Sequence, residues 1–330
     1  MAAFLGFGGF ACFVGYFVLG LMQPSAKSSS RRVPIGQRVA VGLLLVFVSL
    51  NIPTYLLAYH MTHLPRPSTA DIRPSRNGQT PADRGLSYVT HNITVDEGAW
   101  LETWLIPASA AKGTVVLFPG NQGSKRNQLI GPAQTFHALG YNCLLVDFQG
   151  LGGSSGNTTT IGLKESADVA KAAAFVNALG LPSPFILYGV SMGSAAILRA
   201  IDQKTVAPDA VVLELPFATF LNAIRSRLRF HRLPPFPTAE LTAFWGSVQH
   251  GVNGFSHNPV DYAKAVDCPA LVIHGAQDKW TQVDEVRTLF ENLSGPKQLV
   301  ISPDAGHHQL IGVDRDLWET SVAAFLEAQL

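Results

Sequence analysis

In "YGVSMGS" a serine lies between two glycines, with Gly189 and Gly193 two residues to either side of Ser191. A hydroxyl is a weak nucleophile until a base takes its proton, and the base needs an acid to orient it. The chain supplies both further on: "PALVIHGAQDKWTQV" contains Asp278 and "KQLVISPDAGHHQL" contains His307. Ser191 follows the apolar run "FILYGV" and precedes the helical run "AAILRAI". A G-x-S-x-G sequence between strand and helix forms a tight elbow that exposes the serine as a nucleophile. The glycines have a second reading, in which small residues let a helix pack close to a sheet. With a histidine base and an aspartate behind it, Ser191 would perform acyl transfer through an acyl-enzyme.

The competing residues are less well positioned. Asp267 precedes its strand and Asp284 falls inside the next helix, whereas Asp278 comes just past the strand at 269–275. The other role open to Asp278 is a loop carboxylate capping the helix that follows. His307 follows Gly306, where a turn can aim its ring back to the sheet; the adjacent His308 would point elsewhere. A metal site on the two histidines has no third ligand at suitable spacing, so no metal is expected. Developing negative charge needs preorganised donors. The glycine-rich "FPGNQGS" offers the backbone N–H of Asn121, and the residue after the nucleophile offers that of Met192. An ordinary strand-to-helix turn would look the same. "DFQGLGGSSG" partly resembles a dinucleotide loop, but Ser155 stands where the third glycine belongs, the helix comes late, and no acidic residue closes a second strand at the right distance. No cofactor is expected, and Asp147 reads as structural, ending its strand and bracing the loop.

These residues need a scaffold, and the apolar pattern supplies one. "WLETWLIP" (100–107) alternates like a half-buried strand. Continuous apolar runs at 114–120, 141–148, 185–190, 210–216, 269–275 and 297–302, separated by helix-length segments, predict buried parallel strands in an α/β sheet. "ESADVAKAAAFVNALG" (165–180) is the clearest intervening helix, and "DLWETSVAAFLEAQL" closes the chain as another. The crossovers are right-handed by default. More than fifty residues separate the strands at 210–216 and 269–275, far more than a crossover needs. The excess, about 217–262, reads as a cap rich in Phe and containing Arg225, Arg227, Arg229 and Arg232. Those arginines form either a solvated helix face or a receptor for an anionic head group, a substrate carboxylate or an acidic membrane surface.

Residues 2–22 and 39–59 carry no charge, and each is 21 residues long. About 20 apolar residues span a bilayer as helix, so the pair predicts a transmembrane hairpin over residues 1–60. Asn51 and Pro53 interrupt the second run. Residues 61–86, rich in Pro, Ser, Thr and Arg, read as a linker to a domain covering 87–330. Lys27, Arg31, Arg32 and Arg38 lie between the spans, against Arg66, Arg73 and Arg76 after them. The basic loop points to a cytoplasmic hairpin turn, an extracytoplasmic C-terminal domain and an inner-membrane location. The net charge of +1 and the 14% of charged residues contain no basic surplus, which excludes a nucleic-acid partner. Cys12, Cys143 and Cys268 are too few and too scattered for a disulfide framework or a zinc site.

From residue 87 to 330 the chain resembles the α/β-hydrolase superfamily, and it is similar to membrane-anchored Bem46-like and serine aminopeptidase-like bacterial hydrolases. The resemblance rests on "FPGNQGS", "DFQGLGGSSG", "GVSMGS", "HGAQDKWTQV" and "DAGHH", all in family order. It implies an α/β-hydrolase fold, a mostly parallel sheet flanked by helices with a helical cap, with Ser191 as nucleophile, Asp278 as acid and His307 as base. One departure is Pro119-Gly120 where family members often have His-Gly; the backbone donor at Asn121 survives it. The expected substrate is a small-molecule ester or acyl compound. A peptidase or amidase with the same three residues, and a membrane-anchored binding module without catalysis, are the alternatives.

Overall fold

The computed structural model describes residues 34–64, 80–96 and 98–330. It begins with a long helix, α1 (Ile35–Thr62). Eight strands then form one sheet: β1 (Val89–Thr94), β2 (Trp100–Ile106), β3 (Thr114–Phe118), β4 (Asn142–Val146), β5 (Phe185–Val190), β6 (Ala210–Glu214), β7 (Ala270–Gly275) and β8 (Lys297–Ser302). Their spatial order is 1-2-4-3-5-6-7-8. Between them run α2 (Ile130–Ala138), α3 (Glu165–Ala178), α4 (Met192–Asp202), α5 (Phe220–Phe230), α6 (Thr238–His250), the short α7 (Pro259–Tyr262) and α8 (Val283–Asn292), and α9 (Arg315–Gln329) ends the chain.

The pairings follow from burial. β3, β4, β6 and β7 are buried at every residue, as strands covered on both faces must be, and from β4 across to β8 each neighbour pairs in parallel. β2 alternates and pairs antiparallel with both β1 and β4. Side chains of successive strand residues go to opposite faces. Val116, Leu144, Leu187, Leu213 and Val272 meet α3, α4 and α8 on one face. Val115, Leu145, Ile186, Val212 and Leu271 meet α2 and α9 on the other. β1 was not expected from the sequence, because "VTHNIT" buries Ile93 alone and presents polar side chains as an edge strand does.

Two transmembrane helices are expected from the sequence. Among the described residues one helix, α1, is long and apolar enough to cross a bilayer; the run at 2–22 lies outside the described residues. At 28 residues α1 extends about 42 Å, more than the roughly 30 Å of a hydrocarbon core. Asn51 and Pro53 do not end it. The Asn51 amide donates to the Phe47 carbonyl (2.9 Å) and the Thr54 hydroxyl to the Leu50 carbonyl (2.7 Å), so both polar side chains are satisfied within the helix. The helix continues through residues 61 and 62, where the sequence predicts a linker. The chain then pairs with the body, Leu64 N–H donating to the Asn157 carbonyl and Thr159 N–H to that of Thr62.

The long connection from β6 to β7 contains α5, α6 and α7. Arg225 of α5 pairs with Glu240 of α6 (2.6 Å), and Asn222 donates to Glu285 of α8 (2.7 Å). α6 also packs along the second half of α1. The Trp245 indole N–H donates to Asn51 Oδ1 (3.1 Å), the Gln249 amide donates to the Tyr55 carbonyl (2.9 Å), and the rings of Tyr55 and Trp245 meet edge to face. His257 fastens the same connection from below. It is fully buried beside Phe217 and Phe220, and its Nε2 shares a 3.0 Å hydrogen bond with the Ile161 carbonyl.

Burial pushes the His257 pKa down to about 4 from an ordinary 6.5, against the opposing pull of the Ile161 carbonyl. The folded-state value lies below the unfolded one. The contribution of the neutral ring is therefore complete above pH about 6.5 and lost as pH falls toward 4, a total of about 3 kcal/mol. Thermal unfolding midpoints of the wild type should fall more steeply between pH 7 and pH 5 than those of His257→Gln, and parallel slopes would contradict this role.

Candidate active site

The turn from β5 into α4 holds Ser191 at φ 50 and ψ −104. That is a costly conformation for a residue with a side chain, and it persists where the surroundings over-determine it. They do so here. Ser191 N–H donates to the Glu214 carbonyl at 2.7 Å. A Cβ on Gly189 would stand 2.6 Å from the carbonyl carbon of Gly193, and one on Gly193 would stand 2.7 Å from the Phe118 carbonyl oxygen. The two readings of the glycines are thus one fact: the packing that excludes side chains is what bends the backbone at Ser191.

Ser191 opens into a cavity of about 390 Å³ that His307 also lines. His307 Nε2 lies 3.2 Å from Ser191 Oγ, and its Nδ1 lies 2.6 Å from Asp278 Oδ2. The three residues come from three strand ends, after β5, β7 and β8. The other Asp278 oxygen accepts from the N–H groups of Trp280 (2.7 Å) and Thr281 (3.1 Å), which brace the loop; the helix that follows is capped by Gln282 and Glu285, not by Asp278. Burial pushes the Asp278 carboxyl up, but the His307 ring and those two backbone donors together outweigh it and hold the group below the usual carboxylate range. His308 is exposed at the rim of the cavity, and neither Asp267 nor Asp284 lines it.

Asn121 lines the same cavity, in a turn closed by Gly123 N–H on the Gly120 carbonyl (3.0 Å) with Gln122 at φ 60. The Gln128 side chain holds this turn by accepting from Gly120 N–H (2.7 Å). Met192 begins α4, where the first N–H groups have no acceptor within the helix and the helix dipole favours negative charge. The two backbone donors expected from the sequence thus belong to the two loops that flank Ser191. Asp147 braces the neighbouring loop, accepting from Lys125 N–H (2.6 Å) and Gly153 N–H (3.0 Å) and pairing with Lys125 Nζ. Lys125 is buried and also meets Glu102 at 2.6 Å. Among the described residues no group of three or more His, Cys, Asp or Glu could hold a metal. Cys143 and Cys268 are free thiols, and burial raises the pKa of both, that of Cys268 to about 11; Cys12 lies outside the described residues.

Several residues that shape the site were missed in the sequence. Glu214, the last residue of β6, is wholly buried. Its carboxylate accepts from Leu310 N–H (2.5 Å), the Tyr188 hydroxyl (2.5 Å) and the Trp318 indole (3.1 Å). Gln309 in turn donates to the Tyr188 hydroxyl (2.9 Å), so Glu214 grips the loop that carries His307 at two points. Burial raises its pKa, and the three donors oppose that rise. His274 lies behind Asp278, its Nε2 3.8 Å from Oδ2, and burial lowers its pKa. Trp280 tilts against the His307 ring at 4.7 Å. The signal for Glu214 was a lone carboxylate inside an apolar strand, which has to find donors.

A family model described as the alpha/beta hydrolase family matches residues 115–317. The chain is 29% identical to "Uncharacterized protein YqkD" of Bacillus subtilis over 198 residues, which cover 58% of this chain and 64% of that one. It is 23% identical to a lysophosphatidylserine lipase of Danio rerio over 66% of this chain and 62% of the lipase, so it spans less than two thirds of either relative. An uncharacterized membrane protein of Saccharomyces cerevisiae matches at 23% identity over 86% of this chain and 94% of its own length. Among solved structures, an esterase of Pyrococcus furiosus superposes with a TM-score of 0.65 at 23% identity, covering 82% of this chain and 98% of that one. At that identity the likeness is one of fold.

Glu214→Ala would orphan three buried donors and is expected to cost about 3 kcal/mol of stability. Glu214→Gln keeps an acceptor for Leu310 and should lose less. Denaturant unfolding of both variants measures this, and a loss under about 1 kcal/mol in Glu214→Ala would mean that the carboxylate does not hold the loop.

Proposed function

Because this chain belongs to the alpha/beta hydrolase family, we propose that it is a membrane-tethered serine hydrolase that cleaves carboxylic esters, of an acyl or lipid-like kind, through an acyl-enzyme on Ser191. The observation that carries this reading is the hydrogen-bonded chain from Ser191 Oγ through His307 to Asp278, at 3.2 and 2.6 Å. Such a chain has no structural task that a smaller set of residues could not meet, which weighs against a binding module without catalysis.

In the proposed reaction Ser191 Oγ attacks the ester carbonyl carbon while His307 Nε2 takes the hydroxyl proton. Asp278 accepts the Nδ1–H of His307, fixes the tautomer and balances the imidazolium that forms. The N–H groups of Asn121 and Met192 receive the oxyanion, an effect worth two to three powers of ten in turnover for one such donor. Collapse of the tetrahedral species expels the alcohol, protonated by His307, and leaves the acyl group on Ser191. Water, deprotonated by His307, then repeats the sequence and releases the acid. The lipase relative supports an ester over an amide bond.

The tether is α1. Its apolar residues Leu43, Leu44, Phe47 and Leu56 are exposed among the described residues. The match to a yeast membrane protein along most of both chains supports the same reading. The basic residues from Lys27 to Arg38 hold the start of α1 on the cytoplasmic side, leaving the catalytic domain extracytoplasmic.

Labelling of the detergent-solubilised protein with a fluorophosphonate probe tests the nucleophile. Wild type should label and should hydrolyse short p-nitrophenyl esters. Ser191→Ala should lose labelling and at least about four powers of ten in turnover, and Asp278→Asn should lose turnover on a similar scale. Retained activity in Ser191→Ala would sink the assignment.

A further inference from the structure

The sequence of α5, "FLNAIRSRLRF", spaces three arginines at every second residue. On a helix, positions 225 and 229 fall on one face and 227 on the opposite one. Arg225 is paired with Glu240, and Arg229 is exposed. Arg227 instead takes a position in the stripe formed by Phe220, Ala223, Ile224 and Leu228, the face that α5 turns inward. A guanidinium there displaces an apolar side chain and has to be accounted for.

Its partners do not account for it. Arg227 Nη1 donates to the Ala223 carbonyl of its own helix (3.2 Å), and the guanidinium stacks on the Trp280 ring, 4.7 Å from the centroid. Among the described residues no carboxylate forms an ion pair with it. The acid whose field it feels is Asp278, which His307, Trp280 and Thr281 already occupy. Removal from water works against its charge, yet an arginine keeps that charge at any working pH. What remains open to it is the cavity, which it lines together with Ser191, His307 and Asn121. Arg227 is half-buried, a charge partly withdrawn from water is costly unless an opposite charge completes it, and a guanidinium fork matches the two oxygens of a carboxylate or phosphate.

We propose that Arg227 is the receptor for an anionic group on the substrate, and that the enzyme prefers esters carrying a carboxylate or phosphate beside the scissile acyl bond over neutral esters of the same length. A neutral ester would fill the cavity and leave the guanidinium unpaired. An anionic one would complete it, and Trp280, held between Arg227 and His307, would keep the receptor at a fixed position relative to the base. This rests on Ser191 being the nucleophile, because the cavity is assigned to substrate through it.

Two pairs of esters test the proposal on the full chain in detergent. Mono-p-nitrophenyl glutarate against p-nitrophenyl hexanoate sets a carboxylate on the acyl side, and lauroylglycerol phosphate against lauroylglycerol sets a phosphate on the alcohol side. The wild type should favour the anionic member of at least one pair by about tenfold or more in kcat/KM, the size of a charge-assisted hydrogen bond. The pair concerned identifies the source of the anion. Arg227→Met should bring that ratio to about one, and Arg227→Lys should restore part of it. A ratio near one in the wild type, or a ratio that survives Arg227→Met, overturns the proposal. So does an equal fall of both members in Arg227→Met, which would make Arg227 a prop for Trp280. Calorimetric binding of the same intact esters to Ser191→Ala, with and without Arg227→Met, reads the receptor without turnover. A wild type that does not label with fluorophosphonate while binding still favours the anion through Arg227 would overturn the nucleophile and leave the receptor standing.

Discussion

One residue joins the two halves of the site. The main-chain carbonyl of Glu214 accepts from Ser191 N–H and from the Ser194 hydroxyl, which fixes the elbow. Its side chain accepts from Leu310 N–H and reaches Gln309 through Tyr188, which fixes the loop after His307. Ser191 and His307 are 116 residues apart in sequence and approach to 3.2 Å, and this one strand end contacts the turn of the first and the loop of the second. A carboxylate buried to this degree is tolerable because each of its oxygens is met by donors. The same network closes the sheet face under α9 through Trp318, so that the core and the candidate site share a single polar anchor.

The central sheet was legible in the sequence because parallel strands bury both faces and read as unbroken apolar runs, as "TVVLF", "NCLLV" and "ALVIHG" do. The residues now joined in one hydrogen-bonded chain were also legible, since each follows a strand and stands in a glycine-marked turn. β1 was not, because its contacts are mostly with solvent and one neighbouring strand. Glu214 was hidden in "AVVLELP", where a single charge does not break the strand pattern. The interest of Arg227 was hidden differently. Four arginines in a cap look alike until the helix face is known, and the face depends on where α5 begins. The second half of α1 was underestimated, because Asn51 and Pro53 weaken an apolar run on paper while the helix runs through both and Asn51 is met by Trp245 of α6.

The connection between β6 and β7 is held at its edges by ordinary polar contacts, Arg225 to Glu240 and Asn222 to Glu285, and at its base by a neutral buried histidine. Its inner face presents a cation to a cavity whose other walls are largely uncharged: carboxamides at Asn121, Gln122, Gln128 and Gln309, the indole of Trp280, and the serine. An uncharged polar wall competes weakly for an anion and does little to neutralise a cation. Selectivity in such a pocket comes from one group, and the remaining surface serves shape.

The contact between α1 and α6 gives the proposed anchor a second character. A leash attached to the body would let the connection over the cavity move independently. Here the Trp245–Asn51 and Gln249–Tyr55 hydrogen bonds fasten that connection to the helix itself. For a helix held in a bilayer, tilt follows the thickness of the surrounding lipid. For α1 so anchored, a change of tilt would displace α6, and the Arg225–Glu240 pair would carry that to α5, whose Arg227 lines the cavity with Ser191. If α1 is the membrane anchor proposed above, lipid composition would be a mechanical input to the entrance of the cavity, and the membrane would act as a lever as well as an address.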